Sequence, residues 1–281
     1  MLVRVGSRGS RLALIQAERA VQALRAPGIE LAVLPITTAG DRDRTRPFGE
    51  IGSRGVFVKE LEEALLERRI DVAVHSAKDL TASDPEGLSI GAFMRRDDPR
   101  DALCGADGLR PGMRIGTASV RRRAELLALD PSLSIEPLRG NVDTRLRKRG
   151  ERGLDAIVLA ACGLDRLGLE AEIGYRFSVE ELLPEAGQGA LALQVRVGEE
   201  HLVAAADDPA TRAQVEAERT VVAVVGGGCL APVAAHHDGA TLFGLVAAED
   251  GSWLEKRSGG DPQALGEELA AIAVARTSPA P

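Results

Sequence analysis

The stretch RIGTASVRRRAELLALDPSLSIEPLRGNVDTRLRKRGERGLDAIVLA, residues 114–160, alternates short aliphatic runs with longer amphipathic ones. RIGT (114–117), SIEPL (134–138) and DAIVLA (155–160) have the length and composition of strands, and the segments between them have helical periodicity. Strands and helices that follow one another in this order indicate parallel strands joined by crossover helices. The stretch therefore predicts an α/β fold.

The rest of the chain repeats this pattern with one change. The first third reads as strands at 2–5, 30–38, 71–75 and 88–93 with helices at 11–24 and 58–69. From about Pro209 a long helix, a glycine loop, two strands and a last helix (261–275) follow. Since 281 residues exceed one comfortable core, we expect two or three domains, the last of them a small α/β unit.

A charged, glycine-containing segment interrupts the first block. Residues 40–55 read GDRDRTRPFGEIGSRG and show little periodicity. A loop of this length in a compact domain is usually functional or disordered. We interpret residues 39–55 as a mobile flap.

Composition limits the classes of function. The net charge of −7 disfavours general attraction to nucleic acid, and no aromatic stacking platform accompanies the basic residues. The three cysteines form no C-x-x-C pair, which argues against a disulfide framework and a zinc site and favours a reducing compartment. No apolar run is long enough for a signal peptide or a membrane span. We expect a cytoplasmic protein that holds no metal and binds neither nucleic acid nor membrane.

Arginine collects where predicted strands end. Only four of the 35 basic residues are lysines, and GSRGS (6–10), GTASVRRR (116–123) and LRGNVDTRLRKR (138–149) each join a strand end, a helix start and at least one arginine. Helix amino termini and guanidinium groups both bind anions. Each arginine taken alone fits a solvated helix surface. The coincidence at three strand ends favours a ligand with several carboxylates or phosphates.

Two further motifs hold candidate reactive groups. Cys229 follows three glycines in GGGCLAPVA (226–234), so the thiol rides on a loop, either as an attachment point or within an ordinary glycine-rich turn. DVAVHSAKDL (71–80) places Asp79 just past a strand end, where it is either a helix cap or a carboxylate that stabilises a cation. His75 reads as a structural histidine.

Nine motifs in register resemble the porphobilinogen deaminase (hydroxymethylbilane synthase) family over nearly the whole chain. They are SRGSRLALIQA, GSRGVFVKELEEALL, DVAVHSAKDL, DDPRDAL, GTASVRRR, LRGNVDTRL, GLDRLGL, LPEAGQGAL and GGGCLAPVA. The resemblance implies a three-domain α/β fold whose first two domains resemble the lobes of periplasmic binding proteins. The implied ranges are 1–95 with a return segment at 188–206, 99–186, and 209–281 with the cofactor cysteine.

The resemblance also implies a chemistry. Members of the family carry a dipyrromethane cofactor, built from two porphobilinogen molecules and attached through a thioether that falls here on Cys229. Four further porphobilinogen units are added with release of ammonia, and water frees 1-hydroxymethylbilane. Loss of ammonia leaves a cation that a carboxylate stabilises, and Asp79 matches the catalytic aspartate.

The remaining matches concern the acetate and propionate groups of each pyrrole. The implied cofactor-binding residues are Cys229, Lys78, Asp79, Ser119, Arg121, Arg122 and Arg145. The implied substrate-binding residues are Arg8, Ser10, Gln16, Phe57, Thr117, Arg139, Arg166 and Gln188. Cys104 and Cys162 match no attachment position and are expected in the core.

Two other functions compete with this monomeric enzyme. A non-catalytic two-lobed anion-binding protein would use the same arginines, but it would carry no adduct on Cys229 and need no carboxylate at Asp79. A nucleic-acid binder using the basic stretch 121–152 fits the negative net charge poorly.

Overall fold

The computed structural model describes residues 1–37, 58–81, 84–226 and 232–277. Contacts between Cα atoms divide the chain into two units, Met1–Asp97 with Gly189–Ala213 and Asp98–Gln188 with Gln214–Pro281. The predicted flap at 39–55, together with Phe57 and Cys229, lies outside the described residues.

The first unit contains a five-stranded mixed sheet in the order β2-β1-β3-β10-β4. The strands β1, β2 and β3 are parallel neighbours, whereas β10 runs antiparallel to both β3 and β4. Within residues 1–37, 58–81, 84–97 and 189–213, two α-helices accompany the sheet. The elements are β1 (Leu2–Arg8), α1 (Arg11–Ala23), β2 (Glu30–Ile36), α2 (Lys59–Leu66), β3 (Val72–Ser76), β4 (Leu88–Met94) and β10 (Leu191–Arg196).

Aliphatic residues on both faces hold this sheet. Val5 and Val74 pack with Ala17 of α1 in one cluster, and Leu61 and Leu65 of α2 belong to a second cluster. Helical spacing places Ala17, Leu61 and Leu65 on the inward faces of the two helices. The apolar area that they remove from water stabilises the unit at about 25 cal/mol per Å².

The second unit contains another five-stranded sheet, in the order β7-β6-β8-β5-β9. It repeats the arrangement of the first, since β7, β6 and β8 are parallel and β5 runs antiparallel to β8. The elements are β5 (Asp101–Cys104), β6 (Arg114–Gly116), α3 (Val120–Leu129), β7 (Ser134–Glu136), α4 (Val142–Glu151), β8 (Ala156–Ala160), α5 (Ala161–Leu167) and β9 (Ile173–Arg176).

A three-stranded antiparallel sheet also belongs to the second unit, in the order β11-β12-β13. Leu242 and Val246 of this sheet share a buried cluster with Val221, Leu265 and Leu269 of the helices. The helix α6 begins in the first unit and continues into the second. The elements are α6 (Pro209–Val225), β11 (Val233–His237), β12 (Leu242–Ala247), β13 (Leu254–Gly259) and α7 (Pro262–Thr277).

The predicted α/β class is confirmed, and so is the core position of Cys104 and Cys162, which are both buried. Among the described residues, no helix has both the length and the apolar character that a membrane span needs. The second unit holds two separate sheets. The three-domain division stays a prediction.

The sequence patterns missed several elements. The strands β5, β9, β10 and β11 and the helix α5 were not predicted, and the predicted end of the first strand at residue 5 was wrong, because β1 continues to Arg8. In β10 all six residues are buried although Gln194 and Arg196 are polar, so the strand lacks an alternating pattern.

Candidate functional site

Arg8 and Asp79 lie at the same edge of the first sheet. Arg8 ends β1, and β3 ends at Ser76 and leads into a 3-10 turn, Ala77–Asp79, that also contains Lys78. Because β1 and β3 are parallel neighbours, their carboxyl ends share one edge. Lys78 and Asp79 are both half-buried there. Ligands of open α/β sheets bind at this edge.

One polar side chain of α1 hydrogen-bonds to the last residue of β3, and another residue caps the helix. Ser10 is its N-cap, and the Ser10 hydroxyl accepts a hydrogen bond from the Ala13 amide at 3.3 Å. Gln16 is buried, and its Nε2 donates to Ser76 Oγ at 3.2 Å. The start of α1 is thereby held beside the strand that leads to Asp79.

His75 is a structural residue, as predicted. It is 4% exposed, and its Nε2 lies 3.0 Å from Gln194 Oε1 on the neighbouring strand. Burial lowers the pKa of His75 to about 4, although the bond to Gln194 opposes the shift. The imidazole is therefore neutral at physiological pH.

Thr117 and Ser119 form the junction between β6 and α3 in the second unit. The buried Thr117 accepts a hydrogen bond from the Ser119 amide at 3.2 Å, and Ser119 caps α3 by accepting from the Arg122 amide at 3.3 Å. This junction starts a helix at the carboxyl end of a strand, which is where helix amides attract anions.

Arg139, Arg145 and Arg166 follow the other two parallel strands. Arg139 lies between β7 and α4, Arg145 lies on α4 and Arg166 is buried on α5 directly after β8. The Arg145 Nε donates to the Gly140 carbonyl at 2.6 Å, and Lys148 Nζ donates to the Arg139 carbonyl at 3.1 Å. Arg139 and the first turn of α4, which holds Arg145, therefore follow β7 at the same edge of the sheet as Thr117 and Ser119, whereas Arg166 lies in the last turn of α5.

Arg121 and Arg122 are buried around a single carboxylate, Asp101. Asp101 is wholly buried and lies opposite Ala160 at the end of β8. It accepts from Arg121 Nη2 at 2.8 Å and from Arg122 Nη2 at 2.7 Å, and Gln188 Nε2 donates to it at 2.8 Å. Three predicted site residues therefore share one buried anchor.

The charges of this cluster keep Asp101 ionised and leave two buried N–H groups unpaired. Burial by itself would raise the pKa of Asp101, but the charges of Arg121 and Arg122 outweigh burial and hold the pKa well below its usual range. Within the described parts of the chain, the Nε atoms of Arg121 and Arg122 are buried and have no hydrogen-bond partner. A buried donor left unpaired costs about 1–3 kcal/mol. An acceptor brought by a ligand would remove that cost.

Glu125 is a second buried carboxyl group of the cluster, one helical turn after Arg121. Its Oε2 accepts from Arg121 Nη1 at 2.9 Å, and its Oε1 accepts from the Leu183 amide at 2.6 Å. Burial raises the pKa of Glu125 to about 7, against the lowering charges of Arg121 and Lys256.

The structure places the predicted residues in two sets. Arg8, Ser10, Gln16, Lys78 and Asp79 belong to the first unit. Thr117, Ser119, Arg121, Arg122, Arg139, Arg145, Arg166 and Gln188 belong to the second. Phe57 and Cys229 fall outside the described residues, so their roles stay predictions.

Sequence reasoning missed Asp101, Glu125 and Lys256. DDPRDAL was recognised as a motif, but no strand was predicted to begin at Asp101, which is the first residue of β5. The i,i+4 spacing of Arg121 and Glu125 was the available signal for Glu125. Lys256 is distant in sequence and carried no signal.

Comparisons of the sequence with known proteins identify a family. Residues 3–204 match a family model described as porphobilinogen deaminase, dipyromethane cofactor binding domain. The porphobilinogen deaminase of Roseiflexus castenholzii is 46% identical, with 95% of this chain and 93% of that protein covered. That of Brevibacillus brevis is 42% identical, with 97% of this chain and 94% of that protein covered.

A solved structure of the methionine-binding protein MetQ is also similar. It has a TM-score of 0.47 and 13% sequence identity, over 73% of this chain and 89% of that chain. The family assignment depends on the sequence matches alone, which span nearly the whole chain at more than 40% identity. The chain belongs to the porphobilinogen deaminase family.

Proposed function

We propose that this chain is a hydroxymethylbilane synthase. It deaminates porphobilinogen, adds four units in sequence to a dipyrromethane primer and releases 1-hydroxymethylbilane and ammonia, which is a step of tetrapyrrole biosynthesis. The observation that carries the proposal is the buried pair Arg121 and Arg122, whose Nε–H groups lack acceptors among the described residues. The family match supplies the substrate class.

The residues present fit an acidic pyrrole cofactor. Each pyrrole ring of a dipyrromethane carries two carboxylates, and the edge of the second sheet offers Arg121, Arg122 and Arg145 with the amino terminus of α3. Each charge-assisted hydrogen bond contributes about 1.5–3 kcal/mol. When bound, the dipyrromethane supplies the nucleophilic carbon of its terminal pyrrole. Lys78, Asp79 and Ser119 are the other residues that we assign to its binding.

Cys229 is the attachment point that we propose. The other two thiols are poor candidates, because Cys104 and Cys162 are buried in the core and burial raises the pKa of Cys104 to about 11. In the attachment reaction, the Cys229 sulfur forms a bond to the aminomethyl carbon of porphobilinogen as the carbon–nitrogen bond breaks. The thiol proton leaves with ammonia.

Asp79 is the catalytic residue that we propose. Ammonia loss from porphobilinogen leaves a positive charge on the substrate pyrrole, and a carboxylate placed near the ring nitrogen stabilises that charge as it develops. The position of Asp79 after β3, at the ligand-binding edge of the sheet, supports this role. Substrate carboxylates would be bound by Arg8, Arg139 and Arg166, with Ser10, Gln16, Phe57, Thr117 and Gln188 completing the substrate set.

Intact-protein mass spectrometry tests the attachment. We expect the purified chain to exceed its sequence mass by two porphobilinogen units less two ammonia molecules, and Cys229→Ala to lose this excess. The control Cys162→Ala removes a buried thiol and should keep it. A wild-type chain with no adduct, or a C229A chain with one, contradicts the proposal and favours a non-catalytic anion-binding protein.

Steady-state turnover of porphobilinogen tests Asp79. Asp79→Asn should keep the adduct but lose at least a hundredfold in kcat, because a neutral amide does not stabilise the cation. Asp84→Asn, which changes an exposed carboxylate nearby, is the matched control. Wild-type turnover by D79N refutes the assignment.

We also propose that the enzyme works as a cytoplasmic monomer. The odd number of cysteines without a C-x-x-C pair supports a reducing compartment. Light scattering coupled to size exclusion should give the mass of one chain, and cell fractionation should place the activity in the soluble fraction. A dimer mass or membrane-bound activity contradicts this assignment.

A further inference from the structure

Glu125 lies outside the set of residues that the family resemblance implies, yet it is wholly buried beside Arg121. Its two oxygens have separate partners, the Arg121 Nη1 at 2.9 Å and the Leu183 amide at 2.6 Å. Arg121 Nη1 also donates to the Leu183 carbonyl at 2.8 Å. Glu125 and Arg121 thus bind the amide and the carbonyl of Leu183, and these contacts fix the position of the guanidinium.

A guanidinium has five N–H groups, and the contacts of Arg121 within the protein use three of them, which leaves the Nε–H and one Nη2–H. Its Nη2 donates to Asp101 Oδ2 at 2.8 Å, so both terminal nitrogens are used within the protein. The Nε–H has no partner among the described residues. Because a guanidinium is planar, the contacts at its terminal nitrogens also set the direction of the Nε–H.

Lys256 of β13 approaches Glu125 from the three-stranded sheet. Its Nζ lies 3.8 Å from Glu125 Oε1 and donates to the Glu180 carbonyl at 2.5 Å. Glu125 is a carboxyl group that burial pushes toward the neutral form, and the positive charge of Lys256 opposes that effect. Lys256 therefore favours the carboxylate that Arg121 needs as an acceptor.

We propose that Glu125 is a positioning residue: it fixes the guanidinium of Arg121 so that the Nε–H binds a carboxylate of the dipyrromethane, and Lys256 supports Glu125 from β13. This inference rests on the proposed function, because it takes the ligand of Arg121 from that proposal. A core residue with no such role would contribute equally to the thermal stability of the protein with and without the cofactor.

Thermal unfolding with and without the adduct tests the inference apart from activity. The difference in Tm between holoprotein and the apoprotein made by C229A is measured in the wild-type and Glu125→Gln backgrounds. A glutamine that accepts from Leu183 turns its NH2 group toward Arg121 Nη1, so the Arg121 contact is lost. We expect E125Q to lose at least half of the wild-type Tm difference. If E125Q lowers the Tm of the holoprotein and of the apoprotein equally, so that the difference in Tm is unchanged, the inference is overturned.

Kinetics of the holoprotein give the second readout. Per mole of adduct, E125Q should lose about tenfold in kcat with KM changed less than twofold, because Arg121 orients the bound primer and not the incoming substrate. Glu151→Gln, in the exposed i,i+4 pair Arg147–Glu151 of α4, is the control and should match wild type. Wild-type kcat in E125Q overturns the inference.

Lys256 variants keep the test open if E125Q does not fold. Lys256 is partly exposed, so Lys256→Met should fold and reduce kcat about threefold, and Lys256→Arg should restore it. Wild-type kcat in K256M overturns the part assigned to Lys256. A wild-type chain that carries no adduct would contradict the proposed function itself. An active wild-type protein whose Glu125 and Lys256 variants keep wild-type kcat would contradict only the positioning role.

Discussion

Replacing His75 by glutamine should remove a defined part of the acid sensitivity of the protein. The imidazole is buried, and its pKa is lowered to about 4 from an ordinary value near 6.5. In the unfolded chain His75 takes up a proton below about pH 6.5, but in the folded chain only near pH 4. Stability is therefore full above pH 6.5 and is lost as pH falls from 6.5 toward 4.

The size of the effect follows from the two pKa values. A group with an unfolded pKa near 6.5 and a folded pKa near 4 lowers the free energy of unfolding by about 2 kcal/mol at pH 5 and about 3 kcal/mol at pH 4, relative to pH 8. Glutamine does not titrate, and it can keep a hydrogen bond to Gln194. The stability of His75→Gln relative to wild type should therefore rise by about 2 kcal/mol between pH 8 and pH 5.

Urea unfolding followed by circular dichroism at several pH values measures this difference, and the subtraction cancels the titration of every other group. His201→Gln removes an exposed histidine of the same unit and serves as the control. An unchanged difference between H75Q and wild type from pH 8 to pH 5 would show that His75 is not held neutral in the folded protein.

Two further substitutions test the edge of the second sheet. Asp101→Asn leaves two buried guanidinium groups without their carboxylate and should lower the free energy of unfolding by about 3–5 kcal/mol. Urea unfolding measures this loss, with the exposed Asp107→Asn as the control. Equal unfolding midpoints for the two variants would contradict the role of Asp101 as the buried partner of Arg121 and Arg122. Gly140 has φ +124°, and a Cβ there would lie 2.7 Å from Thr144 Cγ2. Gly140→Ala should therefore lower the free energy of unfolding by about 1–3 kcal/mol and reduce turnover by moving Arg139. The control Gly150→Ala, on the open face of α4, should leave stability unchanged or raise it. Equal stability of the two variants would contradict the predicted backbone strain at residue 140.

Most of the helices and the parallel strands could be predicted from periodicity because their buried faces are aliphatic. The helix from Arg11 and the strand at 88–94 agree with prediction within one or two residues. The strands β5 and β10 could not be found this way. Their polar residues, Asp101 and Gln194, are buried by partners distant in sequence, so the local pattern carries no alternation.

The candidate site divides along the same line. Helix starts that follow strands are local features, and they located Ser10, Ser119 and Arg139 correctly at strand ends. The burial of Arg121 and Arg122 is not a local feature, because it depends on Asp101 lying across the sheet. Two arginines that the sequence presents as surface cations are in fact anchored in the interior.

The composition of this buried cluster bears on why it exists. Buried ion pairs are often no more stable than apolar residues of similar volume, so stability alone is a weak reason for two guanidinium groups to share one carboxylate. The unpaired Nε–H groups of Arg121 and Arg122 add a further cost of about 1–3 kcal/mol each. A bound carboxylate that accepts from them would offset this cost and stabilise the folded chain. Under the proposed function, the same groups that make the protein without cofactor less stable would contribute to the free energy of binding an acidic ligand.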